Sequence, residues 1–354
     1  MAVNLSRNLF MLVVLSVALV GCVGGAQPVL KPKALVPGDT IAFVAPAGEL
    51  DQVRVERARD RLMAMGFEVI IPENLYRQHG YLAGSDEERA AELMAMFADP
   101  KVDAIFPGTG GYGTTRILEL LDYDVIRANP KVFIGFSDIT GLHAAFHEKT
   151  GLVTFHSPNP MWGLGSEDNL RPFSADYFWR AILRDSYVDG KGNPRPEGYV
   201  IRSDQRVEAP VETMTGGVAR GVIVGGNLSL VQAITGTAYQ LDTRGKILYL
   251  EDVGEAPYRV DRMLRQMKDS GQLDGISGAI LGRFTRRRNE DTSNETTSMR
   301  EVLEDYFKGL GVPVLVDFPA GHVSDNATLP LGVMVELDAD AQTITVLENP
   351  VRVD

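Results

Sequence analysis

Two turns in this chain carry residue types suited to acyl-transfer chemistry. The first is Gly135-Phe136-Ser137-Asp138-Ile139-Thr140, which sets a serine between the end of an apolar run and the start of a helical one. A strand-to-helix turn projects the hydroxyl from a sheet edge, and the helix start offers unpaired N–H groups to a developing oxyanion. The turn is similar to a nucleophile elbow, G-x-S-x-G, but has Ile139 at the second glycine. The competing reading is that Ser137 or Asp138 only caps the helix. The second turn is Gly108-Thr109-Gly110-Gly111-Tyr112-Gly113. It has no lysine for a phosphate-binding P-loop, so a nucleotide cradle is the weaker reading. Its small residues permit close backbone approach with an N–H exposed, as an oxyanion hole requires, although a tight turn without function competes.

A serine nucleophile needs a base, and the chain has five histidines. His79 falls in a polar loop. His143 and His147 share one face of an expected helix at a metal-binding spacing, but Ala-Ala-Phe between them lacks the Glu of H-E-x-x-H, and the pair reads as ordinary helix surface. His156 ends the apolar run Val153-Thr154-Phe155 and is either a core histidine or a crevice residue. His322 follows Asp317-Phe318-Pro319-Ala320-Gly321, a small-residue turn after a strand, where an imidazole is displayed for proton transfer. An orienting carboxylate comes from Leu248-Tyr249-Leu250-Glu251-Asp252, where either acid could serve; a helix cap or surface ion pair is the alternative.

The elements that must position these residues alternate. Strands are expected at Thr40–Ala45, Phe67–Ile71, Val102–Phe106 and Lys131–Phe136. Helices are expected at Gln52–Met65, from the capping box Ser85…Glu88 to Phe97, at Thr115–Leu121 and at Asp138–His147. This alternation implies a parallel sheet with helices on both faces, whose ligand crevice lies beyond the carboxyl ends of the strands. Between Asp185 and Gly216 the composition turns to Gly, Pro, Asp and Arg without periodicity, which reads as a connection. Beyond it come strands Lys246–Leu250 and Gly278–Leu281, helices Arg259–Met267 and Ser298–Phe307, and a β-rich close over Val312–Val346. The fold class is therefore α/β: an N-terminal parallel-sheet domain and a smaller β-rich α/β C-terminal domain. The expected divisions are 35–185, a connection over 186–215, and 216–354.

The net charge of −12 provides no general field for phosphate backbones, and the one dense basic run, Arg286-Arg287-Arg288, is followed at once by Asn-Glu-Asp. Nucleic acid is thus a poor partner. A single cysteine excludes an intramolecular disulfide and a thiolate zinc cluster. That cysteine closes an N-terminal segment with Arg7 and an apolar run from Leu9 to Val20, too short to span a bilayer comfortably. Leu19-Val20-Gly21-Cys22 resembles the lipobox of bacterial lipoproteins, which implies a signal peptide over 1–21, lipidation of Cys22, a tether over 22–34 and a lipid-anchored place in the cell envelope, outside the cytoplasm. An uncleaved anchor helix with a buried cysteine is the alternative.

Taken together, the motifs resemble the serine LD-carboxypeptidases that trim muramoyl tetrapeptides, and the related microcin C self-immunity peptidases, from about Gly38 to the end of the chain. The resemblance rests on Gly110-Gly111-Tyr112-Gly113 with Arg116, Asn129-Pro130-Lys131, Gly135-Phe136-Ser137-Asp138 and Gly225-Gly226-Asn227-Leu228. It extends through Leu250-Glu251-Asp252 with Glu255, Tyr258 to Leu264, and Gly321-His322 ahead of Leu329-Pro330-Leu331-Gly332. It implies a Ser137–Glu251–His322 triad divided between the two domains, an oxyanion hole from the N–H groups of Gly111 and Asp138, and no metal or cofactor. Tyr112 and Asn227 are expected cleft contacts, and a homodimer is expected. Thr109 stands where many members have Arg, and His156-Ser157-Pro158 where many read His-Gly-Pro. The implied activity is removal of the C-terminal D-alanine from a peptidoglycan tetrapeptide. Hydrolysis of a peptidyl-nucleotide toxin is the alternative within the family, and a non-catalytic muropeptide-binding lipoprotein the alternative outside it.

Overall fold

Thr40–Val44 (β1) shows why the first sheet is covered on both sides: Ile41 and Phe43 enter one apolar cluster, while Ala42 and Val44 enter another on the opposite face. A fully buried side chain of this size contributes about 1.5–3 kcal/mol relative to exposure. The computed structural model describes residues 28–203, 207–285 and 296–353. The expected signal peptide, Cys22 and the Arg286–Arg288 run lie outside the described residues.

From β1 the chain continues through α1 (Gln52–Ala64), β2 (Glu68–Ile70), α2 (Asp86–Ala98), β3 (Ala104–Pro107), α3 (Thr114–Ile117), α4 (Tyr123–Ala128) and β4 (Val132–Gly135). Helix α5 (Thr140–Thr150), β5 (Thr154–His156) and α6 (Pro172–Ile182) complete this half. Asp51 caps α1, and Ser85 with Glu88 forms the expected capping box on α2. Strands β1 to β5 are parallel, in the order β5-β4-β3-β1-β2.

The second half comprises β6 (Tyr199–Arg202), β7 (Glu212–Thr215), β8 (Val218–Asn227), α7 (Leu228–Ala233), β9 (Ile247–Val253), α8 (Pro257–Asp269), β10 (Gly278–Thr285) and α9 (Met299–Phe307). It ends with β11 (Val314–Phe318), β12 (Leu329–Leu331), β13 (Met334–Asp338) and β14 (Thr343–Val346). Its eight-stranded sheet runs β6-β14-β13-β8-β9-β10-β11-β7, with a parallel centre of β8 to β11 and antiparallel flanks.

Three placements differ from expectation. The segment 186–215 is not only a connection, since β6 and β7 within it form both edges of the second sheet. Strand β12 leaves the second half and pairs antiparallel with β5 at the edge of the first sheet, Leu329 opposite His156. Residues 28–34, expected as tether, are docked: Leu30 N–H donates to Gly151 O at 2.8 Å and Ala34 N–H to Arg352 O at 2.7 Å. Both apolar clusters draw on both sheets, so the two halves share their core and are held in one relative position.

Candidate active site

Ser137 sits where β4 ends, in the crevice expected of a parallel sheet. Its φ of 64° is a strained conformation for a serine, and it lifts the side chain out of the turn. Ile139, at the position of the missing second glycine, folds over Gly135: a Cβ added there would lie 3.0 Å from Ile139 Cγ2. The elbow therefore needs only its first glycine. A 3-10 turn over Ser137–Ile139 leads into α5, so the N–H of Asp138 belongs to a helix start with no carbonyl behind it.

His322 reaches Ser137 from the loop after β11. Its Nε2 lies 3.1 Å from Ser137 Oγ, and its Nδ1 lies 2.7 Å from Glu251 Oε2. The carboxylate acceptor places the proton on Nδ1 and leaves Nε2 as the acceptor for the serine O–H. Glu251 Oε2 also accepts the backbone N–H of His322 at 3.2 Å. Gly321 makes this approach possible, because a Cβ there would meet Glu251 Oε2 at 2.4 Å. Phe136 packs edge-on against the imidazole with ring centroids 4.9 Å apart.

Glu251, not Asp252, is the partner. Asp252 turns to accept hydrogen bonds from Ser229 N (3.0 Å), Ser229 Oγ (2.8 Å) and Val253 N (2.8 Å). Glu251 is fully buried; that burial opposes its charge, but His322, with a smaller contribution from His156, outweighs it and holds the carboxyl at about 2. Burial likewise opposes protonation of His322, yet the Glu251 charge and hydrogen bond prevail and raise the imidazole above its ordinary 6.5. Two shifts of opposite sign describe one strong pair.

The glycine turn lies directly against the nucleophile. A Cβ on Gly110 would be 2.9 Å from both Ser137 Cβ and Asp138 N. Gly48 N–H donates to Gly110 O at 3.0 Å, and because C=O and N–H point oppositely across a trans peptide, the N–H of Gly111 is turned away from Gly48. Arg89, buried on α2, donates to Gly113 O (2.9 Å) and Pro46 O (2.5 Å) and pairs with Asp86, which also binds Arg116.

A cleft of about 1010 Å³ opens above Ser137 and His322, with Trp162, Arg171 and Arg283 on its walls. Two expected contacts are corrected. Asn227 is buried behind the triad, its amide donating to Asp252 Oδ1 (3.0 Å) and Glu251 Oε1 (3.3 Å), so it supports the acids and does not face the cleft. Tyr112 lies outside the lining, edge-on to Tyr81 at 5.5 Å, and it is Tyr81 that lines the cleft.

The other histidines take different places. His143 is not helix surface: it is buried against Gly135 O at 2.9 Å, and burial pushes it down to about 3. His147 is half-buried, and burial lowers it to about 4. His156 is a core residue packed on Tyr249, with Nε2 3.9 Å from Glu251 Oε1. Among the described residues no group of three His, Cys, Asp or Glu side chains could hold a metal ion, and no helix is long and apolar enough to cross a membrane. Trp162 was not singled out by sequence reasoning, since a lone tryptophan in a Gly- and Pro-rich loop carries no pattern.

Residues 41–157 match the LD-carboxypeptidase N-terminal domain and residues 220–337 the LD-carboxypeptidase C-terminal domain. The chain is 37% identical over 316 residues to a probable murein peptide carboxypeptidase of Bacillus subtilis, covering 89% of this chain and 94% of that one. Among solved structures it is similar to the microcin C7 self-immunity protein MccF in complex with glutamyl sulfamoyl guanosine, with TM-score 0.80 and 26% identity over 91% of this chain and 100% of that one. It is also similar to a muramoyltetrapeptide carboxypeptidase from Oxalobacter formigenes, with TM-score 0.71 and 28% identity over 87% and 97% of the two chains.

Proposed function

The chain belongs to the LD-carboxypeptidase family, and from that membership we propose that it hydrolyses the bond before the C-terminal D-alanine of peptidoglycan tetrapeptides. The observation that carries this reading is the position of His322, within hydrogen-bond reach of Ser137 on one side and Glu251 on the other. Ser137 Oγ gives its proton to His322 Nε2 and bonds to the carbonyl carbon of the third residue. The N–H groups of Gly111 and Asp138 receive the oxyanion. His322 then protonates the departing amine of D-alanine as the C–N bond breaks. A water, deprotonated by the same imidazole, releases the acyl group and restores the serine. Glu251 holds the imidazole in its working tautomer and offsets its charge when protonated.

The substrate class is supported by the names of the Bacillus and Oxalobacter relatives. The likeness to MccF at TM-score 0.80 favours a second reading, hydrolysis of a peptidyl-nucleotide. Incubation of the purified protein with tetrapeptide, pentapeptide and a peptidyl-adenylate, followed by mass spectrometry, separates the two. Release of D-alanine from the tetrapeptide is expected, and cleavage of the adenylate alone would overturn the choice.

The same proposal includes attachment through Cys22, supported by the sequence Leu19-Val20-Gly21-Cys22, with acyl chains anchoring the enzyme in the cell envelope. Cys22→Ser should release the protein from membrane fractions; full retention would refute the anchor. Sedimentation of the purified protein tests the homodimer.

A further inference from the structure

Trp162 is an exposed aromatic that the fold holds in one orientation. It is 52% exposed and lines the same cleft as Ser137 and His322, where part of the ring is open to a ligand. Its indole N–H donates to Thr109 Oγ1 at 3.2 Å, and its backbone N–H donates to Asn159 Oδ1 at 2.8 Å. The Arg54 guanidinium lies over the ring, 4.4 Å from its centroid. Helix α1 grips the loop further: Arg57 donates to Gly165 O at 2.8 Å, and Arg61 to Leu164 O at 2.7 Å and Ser166 O at 2.6 Å. Three arginines of one helix thus brace a loop that presents a single ring to the cleft. A platform ordered before binding loses little entropy when a ligand stacks on it.

We propose that Trp162 forms a subsite for the pyranose ring of a muramyl-linked peptide, so that the enzyme recognises sugar-bearing tetrapeptide over free peptide. This rests on the tetrapeptide reading above. Gly110 touches Ser137, Thr109 is the next residue, and its hydroxyl holds the indole. Steps of about 3.8 Å between successive Cα atoms, with the side chains, keep the ring within roughly 16 Å of the nucleophile. In a muramyl tetrapeptide three residues and the lactyl ether separate the scissile carbonyl from the pyranose, and the three residues alone span about 10–11 Å when extended, so the sugar can reach a ring in that range. A pyranose presents a face of C–H bonds that suits the electron-rich face of an indole, while its hydroxyls stay in water. Tyr81, also exposed, is a second aromatic residue lining the cleft.

The test compares kcat/KM for D-alanine release from a free tetrapeptide and from the same peptide carrying N-acetylmuramic acid. The native enzyme should prefer the muramyl form, and Trp162→Ala should lower that preference about tenfold, as loss of a contact worth about 1.4 kcal/mol would. Trp162→Phe, which keeps an aromatic face, should retain most of it. An unchanged preference in Trp162→Ala overturns the subsite. Calorimetry on Ser137→Ala, with and without Trp162→Ala, reads binding of the muramyl tetrapeptide and of AMP directly. Weaker muramyl binding without the tryptophan supports the subsite; no change, or a tryptophan-dependent site tighter for AMP, refutes it. If the native enzyme releases D-alanine from neither peptide, the tetrapeptide reading fails, and the binding measurement still decides the subsite.

Discussion

Asp138 and Thr114 bind each other twice. The Thr114 N–H donates to Asp138 Oδ2 at 2.8 Å, and the Thr114 hydroxyl donates to Asp138 O at 2.6 Å. Asp138 follows the nucleophile and Thr114 follows the glycine turn, so this pair fixes the two proposed halves of the oxyanion hole against each other. Burial pushes the Asp138 carboxyl up, and the Thr114 hydrogen bonds oppose that shift.

Asp138→Ala keeps the backbone N–H and the Thr114 hydroxyl bond to the residue-138 carbonyl, but removes the carboxylate half of the tie. Leaving the Thr114 N–H buried without an acceptor should destabilise the protein by about 1–3 kcal/mol. Displacement of one donor from the oxyanion should lower kcat by about 10–100-fold with a smaller change in KM, somewhat less than outright loss of a donor. Asp138→Asn, whose amide oxygen can still accept, should recover much of both. Steady-state kinetics and thermal melts of the two variants check this, and equal behaviour of Ala and Asn would show that the tie is irrelevant.

Arg89 holds the same turn from behind, with one guanidinium nitrogen on both Pro46 O and Gly113 O. Replacing it by Met fills much of the space but leaves two buried carbonyls and Asp86 short of a partner. A loss of about 2–5 kcal/mol is expected, mainly from the two buried carbonyls left without a donor, read as the shift in denaturant midpoint.

How much of this was legible in the sequence follows from which features are local. Ser137, the glycine turn and His322 each lie just past a strand, where short-range pattern is informative. The strand pattern alone leaves Glu251 and Asp252 equivalent, and only the family resemblance singles out Glu251, because adjacent residues of a strand face opposite ways and the packing of β9 decides which acid meets the imidazole. Asn227 was misplaced for the same reason. His143 looked like surface because helix α5 is buried on nearly every side from Thr140 to Phe146, which leaves no polar stripe to read. The pairing of β12 with β5 joins residues more than 150 positions apart, and Pro330 within it fits an edge strand only once that pairing is known. The strands β6 and β7 are four residues each among Gly and Pro, so their signal is weaker than their role at the sheet edges.

The pH dependence follows from the His322–Glu251 pair. His322 must be neutral to accept the serine proton, so kcat/KM should rise with pH and reach half-maximum above 6.5. In Glu251→Gln the charge that raises the imidazole is gone and burial, which lowers it, remains. The acidic limb should then move below 6.5 while kcat falls by about 10³–10⁴-fold, as when a triad loses its acid. The folded pKa of Glu251 is depressed, so its stabilising contribution is present above the ordinary 4.5 and is lost as pH falls towards about 2. His322, with its pKa raised, contributes below 6.5 and loses that contribution as pH rises through its folded value. An acidic limb in the native enzyme below 6.5 would contradict the pairing.

Ser137 itself separates stability from activity. Its φ of 64° is held by the elbow at a cost of order 1 kcal/mol for a residue with a Cβ. Ser137→Ala removes the hydroxyl but keeps that cost, so D-alanine release should be abolished with the melting temperature nearly unchanged. Ser137→Gly removes both and should be equally inactive, yet more stable than the alanine variant by up to about 0.5 kcal/mol, since glycine adopts this conformation freely and its larger unfolded-state entropy offsets part of the gain. Both variants should retain the native circular dichroism spectrum. Undiminished turnover by either would remove Ser137 from the mechanism, whereas a glycine variant less stable than the alanine one would show that the elbow is not strained at this residue.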